Sequence, residues 1–279
     1  MKTISTSTIT AAVKDLCMQA NYELGQDVLD AFASAKNSET SPLCREVYDL
    51  LTENAAIARR DAVALCQDTG CAVFFVELGQ EVYVDGEGLM EALHEGVRQG
   101  YSQGYLRTSM CHPFTRKNTG DNTLAIVHVE PVQGDRLKIL FAPKGGGSEN
   151  MSRIAMLKPS QGRQAVKEFV IDVVRQAGAN PCPPTVVGVG IGGNFEKAAL
   201  LSKKALLRKL GSLHADPDIA AFEAELLQAI NNLGIGAQGF GGTVTSLAVH
   251  IEMHPCHIAS LPVAVNLNCH AHRHREIVL

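Results

Sequence analysis

Eight cysteines stand in this chain of 279 residues, and their neighbours sort them. Cys66 precedes Gln67-Asp-Thr-Gly70, Cys182 lies between prolines in Pro181-Cys-Pro-Pro184, and Cys269 follows Asn266-Leu-Asn268. Each is in a loop-like context, where a thiolate can face a cleft and act as a metal ligand. Cys17 and Cys44 fall on helical or capping positions and Cys71 opens an apolar run, so these three are expected to pack as small apolar side chains. Pattern alone assigns no role to Cys111 or Cys256.

Two other constellations invite chemistry. Gly188, Gly190 and Gly193 satisfy G-x-G-x-x-G between an expected strand and an expected helix, the place where free N–H groups can hold an anion. A dinucleotide site also needs a second parallel strand ending in an acidic residue about 20 residues further on. No such strand is legible, so a tight turn without a ligand, or a carboxylate-binding turn, is the better expectation. The tail carries His254, Cys256, His257, Cys269, His270, His272 and His274. These are zinc-type ligands, but their spacing does not match a C-x2-C pair followed by a His pair. A zinc-stabilised interaction protein is the competing reading.

Composition excludes some classes. The net charge is −4 with no long basic block, which gives no reason to propose a nucleic-acid partner. No stretch approaches the roughly 18 unbroken apolar residues of a membrane helix. The start, Met1-Lys-Thr-Ile-Ser-Thr, lacks the apolar core of a signal peptide. A cytoplasmic protein is expected, and in that compartment structural disulfides are not.

The segments Leu65-Cys-Gln-Asp-Thr-Gly70, Leu106-Arg107, Lys144-Gly-Gly-Gly-Ser148, Cys182-Pro-Pro184, Gly188-Val-Gly-Ile-Gly-Gly193, Gln238-Gly-Phe-Gly-Gly-Thr243, His254-Pro-Cys-His257 and Asn268-Cys-His270, taken together, resemble the alpha subunit of class I fumarate hydratase and of L(+)-tartrate dehydratase. They run across nearly the whole chain in the family's order. The resemblance implies a 4Fe-4S cluster held by Cys66, Cys182 and Cys269, with one open iron acting on a small dicarboxylate. It implies that Gln67, Asp68, Arg107, Gly146, Gly147 and His257 line the substrate, with Asp68 and His257 catalytic. Arg107 would clamp a carboxylate with a two-pronged hydrogen bond. The glycines would bring N–H groups close to a second one. Asp68 would carry a proton, and His257 would polarise or protonate the substrate. The implied activity is reversible hydration of fumarate to L-malate, a tricarboxylic acid cycle step, with dehydration of L(+)-tartrate to oxaloacetate as the alternative. Single-chain members carry a further domain after the last cysteine. This chain stops at Leu279, so the resemblance implies a separate beta subunit in an αβ-based hetero-oligomer.

The elements that must position these residues mix helices and short strands. Helices are expected through Leu16–Ala31, from Val47 to Ala64, over 87–100, 164–178, from Asn194, and over 218–233. Strands are expected at 72–76, 123–129, 137–142, 185–189 and within 260–265, the second and third forming a hairpin or meander. The expected fold is α+β, with helices and small sheets in two subdomains around a cluster-binding cleft. It makes one fumarase-type domain over 1–279, divided near residue 160.

Overall fold

The computed structural model describes residues 1–279, which form two compact units interleaved along the chain. The first contains residues 1–25, 54–146 and 273–279, and the second 26–53 and 147–272. The chain is therefore not parted once near residue 160. It leaves the first unit and returns, because that unit's sheet takes its last strand from the C-terminus.

In the first unit, β1 (Lys2–Ser5) leads into α1 (Thr6–Tyr22), whose N-terminus is capped by the Ser5 side chain accepting from the Thr8 N–H. Helix α2 (Gln26–Ser38) and the first part of α3 (Pro42–Asp61) belong to the second unit. Next along the chain come β2 (Cys71–Gly79), β3 (Val82–Asp85), α4 (Leu89–Gln103), β4 (Ile126–Val132), β5 (Leu137–Lys144) and a single turn, α5 (Gly146–Glu149). The sheet has the order β10-β5-β2-β4, where β10 is Arg275–Val278. Here an expectation fails. β4 and β5 do not form a hairpin, because β2 lies between them, parallel to β4 and antiparallel to β5. The apolar β2 needs a partner on each side, and the two later strands supply them. Phe74 and Phe141, with ring centres 5.0 Å apart, pack with Ile139, Leu93, Val97 and Ile9 against α1 and α4. Gly96 and Gly100 of α4 let α1 approach closely: a Cβ on either would fall 2.5 Å from Val13 or 2.7 Å from Cys17. Cys17 is fully buried there, and burial pushes its thiol far above the usual range. It packs, as its helical position predicts.

The second unit is built on the sheet β6-β9-β7-β8, from β6 (Arg153–Leu157), β7 (Thr185–Gly192), β8 (Ser246–His254) and β9 (Leu261–Asn268). Its helices are α6 (Gly162–Ala177), α7 (Phe195–Ala205) and α8 (Pro217–Asn231). Every residue of β7 is buried. Val187, Val189 and Ile191 face the core with Val170 of α6 and Leu226 and Ile230 of α8. The alternate residues are glycines, because α7 lies directly on them. A Cβ on Gly188 would sit 2.1 Å from the Ser202 carbonyl oxygen, and one on Gly190 2.0 Å from that of Ala198. The glycine pattern is thus helix-on-strand packing and not a phosphate cradle. A parallel strand does come after β7, but it is β8, reached only after two helices.

Candidate active site

The site begins with the contacts that fix Cys66. Its neighbour Leu65 is pinned from both sides: the Leu65 N–H donates to the Asn21 carbonyl at 2.9 Å, and the Leu65 carbonyl accepts from Asn54 Nδ2 at 2.9 Å. Past it the chain turns tightly through Gln67 to Gly70. Gly70 has φ +71, and a Cβ on it would meet the Lys144 backbone at 2.7 Å. The turn then enters β2 at Cys71, which pairs with Lys144 at the end of β5. The segment entering β2 and the segment leaving β5 therefore meet at one edge of the first sheet.

Asp68 is the centre of that edge. Its N–H donates to Cys66 Sγ at 3.4 Å, and its carbonyl accepts from Arg273 Nη2. Its Oδ1 accepts from the Gly70 N–H at 3.0 Å and its Oδ2 from the Gly146 N–H at 2.7 Å. Gly145 leaves room for this approach, since a Cβ there would crowd Oδ2 at 3.0 Å. Thr69 extends the network: its hydroxyl donates to the Arg107 carbonyl at 2.6 Å, and its own carbonyl accepts from the Tyr101 hydroxyl at 2.7 Å. Burial pushes the Tyr101 phenol well above its usual range, Cys17 adds to the rise, and the charge of Arg273 opposes it. The Arg107 side chain is exposed and in no salt bridge, so its donors are open to a ligand. Gln67 is exposed and Cys66 half-buried. The first unit thus brings Cys66, Gln67, Asp68, Arg107 and Gly146 to one edge, with Gly147 next in the chain. The Gly146 N–H is already spent on Asp68.

The second unit builds a similar edge from β7 and β9, which run antiparallel with Val186 opposite Asn268. Cys182 lies just before β7 and Cys269 just after β9. The Cys182 carbonyl accepts from the His270 N–H at 3.2 Å and lies 3.1 Å from its ring Nδ1, so the two cysteine loops are tied together. Gln238 ties in the glycine loop: its N–H and its Nε2 both donate to the Pro183 carbonyl, at 2.7 and 2.8 Å. Cys182 is exposed and Cys269 half-buried, whereas Cys44 is fully buried in this unit and meets the Gly241 carbonyl at 2.6 Å.

His257 departs from expectation. It lies between the end of β8 and the start of β9, so it stands at the opposite end of the strands from Cys182 and Cys269. The length of β9 at roughly 3.3 Å per residue puts more than about 20 Å between them. Its Nδ1 accepts from the Ala259 N–H at 3.1 Å, and it lines a cavity of about 380 Å³ with Arg163, Phe222, Met253 and Cys256. Within one chain it does not serve the edge that carries the cysteines. The same topology separates His254 and Cys256 from Cys269, His270 and His272, so the tail's ligand types do not converge. No group of three or more His, Cys, Asp or Glu side chains is arranged to hold a metal ion. Cys111 sits in a separate loop of the first unit, bridged to Asn118. Sequence reasoning does not reach Arg273, because nothing in a sequence links it to Asp68, and it takes Gly145 only as part of the glycine run and not as a neighbour of Asp68 Oδ2.

Comparison with known proteins puts the chain among the hydro-lyases. The model of one family, described as Fumarate hydratase (Fumerase), matches residues 10–278, and the chain belongs to that family. It is 42% identical over 271 residues to a protein of Methanocaldococcus jannaschii provisionally named L(+)-tartrate dehydratase subunit alpha, covering 95% of each chain. It is 34% identical over 276 residues to the L(+)-tartrate dehydratase subunit alpha of Escherichia coli strain K12, covering 97% of this chain and 90% of that one. The subunit of the same name from Shigella sonnei matches to the same extent. No helix is long and apolar enough to cross a membrane.

Proposed function

We propose that this chain is the cluster-bearing alpha subunit of a hydro-lyase that interconverts fumarate and L-malate, with Cys66, Cys182 and Cys269 holding a 4Fe-4S cluster and a beta subunit completing the site. The observation that carries the reading is the edge of the first sheet. There a thiol and a carboxylate fixed by two backbone N–H groups stand together, and the backbone of Arg107, whose side chain is exposed, is tied to the same turn through Thr69.

The donor set suits the cluster. Thiolates are its usual ligands, and N–H groups donating to sulfur tune such centres. Cys66 Sγ accepts one from Asp68. All three thiols lie at the ends of strands or turns with some exposure, unlike the sealed Cys17 and Cys44. With three protein ligands, the bound cluster supplies a Lewis acid for the substrate hydroxyl and its neighbouring carboxylate. The chain's own residues do the rest. Arg107 binds a carboxylate through its planar fork. Gly147 offers backbone approach to the other carboxylate, while Gly146 acts by holding Asp68 Oδ2. Gln67, exposed beside Cys66, lines the substrate. Asp68 holds or takes the proton on the carbon next to a carboxylate.

A second reading, dehydration of L(+)-tartrate to oxaloacetate, is favoured by the names of the similar relatives, which also speak for an alpha subunit with a partner. L-Malate and L-tartrate both present two carboxylates and a hydroxyl-bearing carbon, so the discriminating contacts lie beyond these residues. The test is kcat/KM of the anaerobically reconstituted αβ complex on fumarate, L-malate and L-tartrate. Preference for fumarate and malate is the expected result. Preference for tartrate selects the second reading, and an iron-loaded complex that turns over none of them rejects both.

A further inference from the structure

Arg273 is 4% exposed, lies four residues after Cys269 and belongs to the first unit. Its Nη2 donates to the Asp68 carbonyl, while its Nε and Nη1 are buried and have no hydrogen-bond partner. No carboxylate lies within salt-bridge distance of its guanidinium. Burying an unpaired guanidinium is expensive, and it persists where a nearby negative charge or a fixed geometry offsets the cost. The candidates for that charge stand on the residue it grips and the residue two before it. The Asp68 backbone is held between the guanidinium at its carbonyl and Cys66 Sγ at its N–H, and the Asp68 carboxylate is held by Gly70 and Gly146. Tyr101, whose phenol feels the charge of Arg273, braces the next two carbonyls of the same turn at 2.7 and 3.2 Å.

We propose that Arg273 is a positioning residue of this site: it clamps the turn that carries Cys66 and Asp68, and its buried, unneutralised charge supports the negative charge gathered there. Two properties of the side chain give it two functions. The Nη2 donor holds the Asp68 carbonyl and with it the turn on which the carboxylate stands. The charge acts without contact, because attraction between charges is strong where water is excluded. A lysine would keep the charge and lose the fork, whereas a glutamine would lose the charge and keep a single donor.

The inference rests on the cluster reading, so the test is arranged to tell the two apart. Wild type, Arg273→Lys and Arg273→Gln are reconstituted anaerobically with the beta subunit. Cluster content, the midpoint potential of the cluster in a redox titration and the kinetic constants are then measured. Arg273→Gln is expected to shift the midpoint potential to a more negative value, because a nearby positive charge stabilises the reduced form. It should also lower kcat by about ten-fold or more with a smaller change in KM, since a charge-assisted contact that orients the proton carrier is lost. Arg273→Lys is expected to restore the potential and only part of kcat. Should Arg273→Gln fail to assemble, Arg273→Lys still decides: wild-type potential with reduced kcat supports the proposal. Wild-type potential and kinetics in either variant overturn it. Absence of any cluster in the wild type overturns the underlying reading and this inference with it, whereas a wild-type cluster indifferent to both substitutions removes the inference alone.

Discussion

The two four-stranded sheets repeat one scheme. In the first, β2 has an antiparallel neighbour, β5, and a parallel one, β4. In the second, β7 has an antiparallel neighbour, β9, and a parallel one, β8. In each, the segment entering the central strand meets the segment leaving its antiparallel neighbour, and cysteines sit at that meeting. Antiparallel pairing brings such distant stretches side by side without a long loop. The difference is in how the edge is held. The first sheet fixes its turn with side chains, the Asp68 carboxylate and the Arg273 guanidinium. The second ties its loops through main-chain carbonyls, to His270 and Gln238. The first edge is held by a carboxylate and a guanidinium, the second by an imidazole and an amide on main-chain carbonyls.

The largest expected effect concerns the thiols. Cys66→Ser, on the first edge, and Cys182→Ser or Cys269→Ser, on the second, should each abolish turnover and iron retention in the anaerobic complex. Cys17→Ser should only lower stability. Full activity in either second-edge variant would break the parallel between the edges. Next comes the strand that α7 lies on. Gly190→Ala places a methyl 2.0 Å from a helix carbonyl, and overpacking of this kind should cost about 3 kcal/mol or more in denaturant unfolding. An unchanged midpoint would mean that α7 does not rest directly on β7.

Arg107→Ala should raise KM, the loss of one charge-assisted contact costing on the order of 2–3 kcal/mol, and Arg107→Lys should recover part of it. A change confined to kcat would take Arg107 away from ground-state binding. The smallest effect lies far from the chemistry. His250 is buried in β8, and burial, then the nearby Arg208, pushes its imidazolium down to about 4 from 6.5. Below pH 6.5 the unfolded chain takes up a proton that the folded chain refuses, so stability falls between pH 6.5 and about 4 and levels off below. The full span is worth at most about 3 kcal/mol. Unfolding free energies across that range should show the slope, and His250→Gln should flatten it.

Periodicity locates most of the long helices, though it runs α1 and α2 together across the break at 23–25, and continuous apolar runs locate β2, β7 and β9. It misses β1, β3, β6, β8 and β10. β8 interleaves His250, Glu252 and His254 with its apolar residues, and β10 is a four-residue strand behind a histidine-rich stretch. It also joins β4 to β5, since adjacency in sequence is the only pairing signal a sequence carries. The glycines of β7 are visible as a motif, but only the backbone of α7 explains them. Asp68 and Arg107 are legible through the family pattern. That His257 stands at the far end of β9 from Cys269 is not, because twelve residues in sequence say nothing about the length of the strand between them.

The central claim is that three thiols of this chain hold a cluster whose remaining iron takes substrate. Mössbauer spectroscopy of the anaerobic αβ complex, enriched in iron-57, tests it most directly. One iron site should change its isomer shift and quadrupole splitting when L-malate or L-tartrate is added, while the others stay as they were. Spectra unaltered by every dicarboxylate, or protein that carries zinc in place of iron and sulfide, would contradict it.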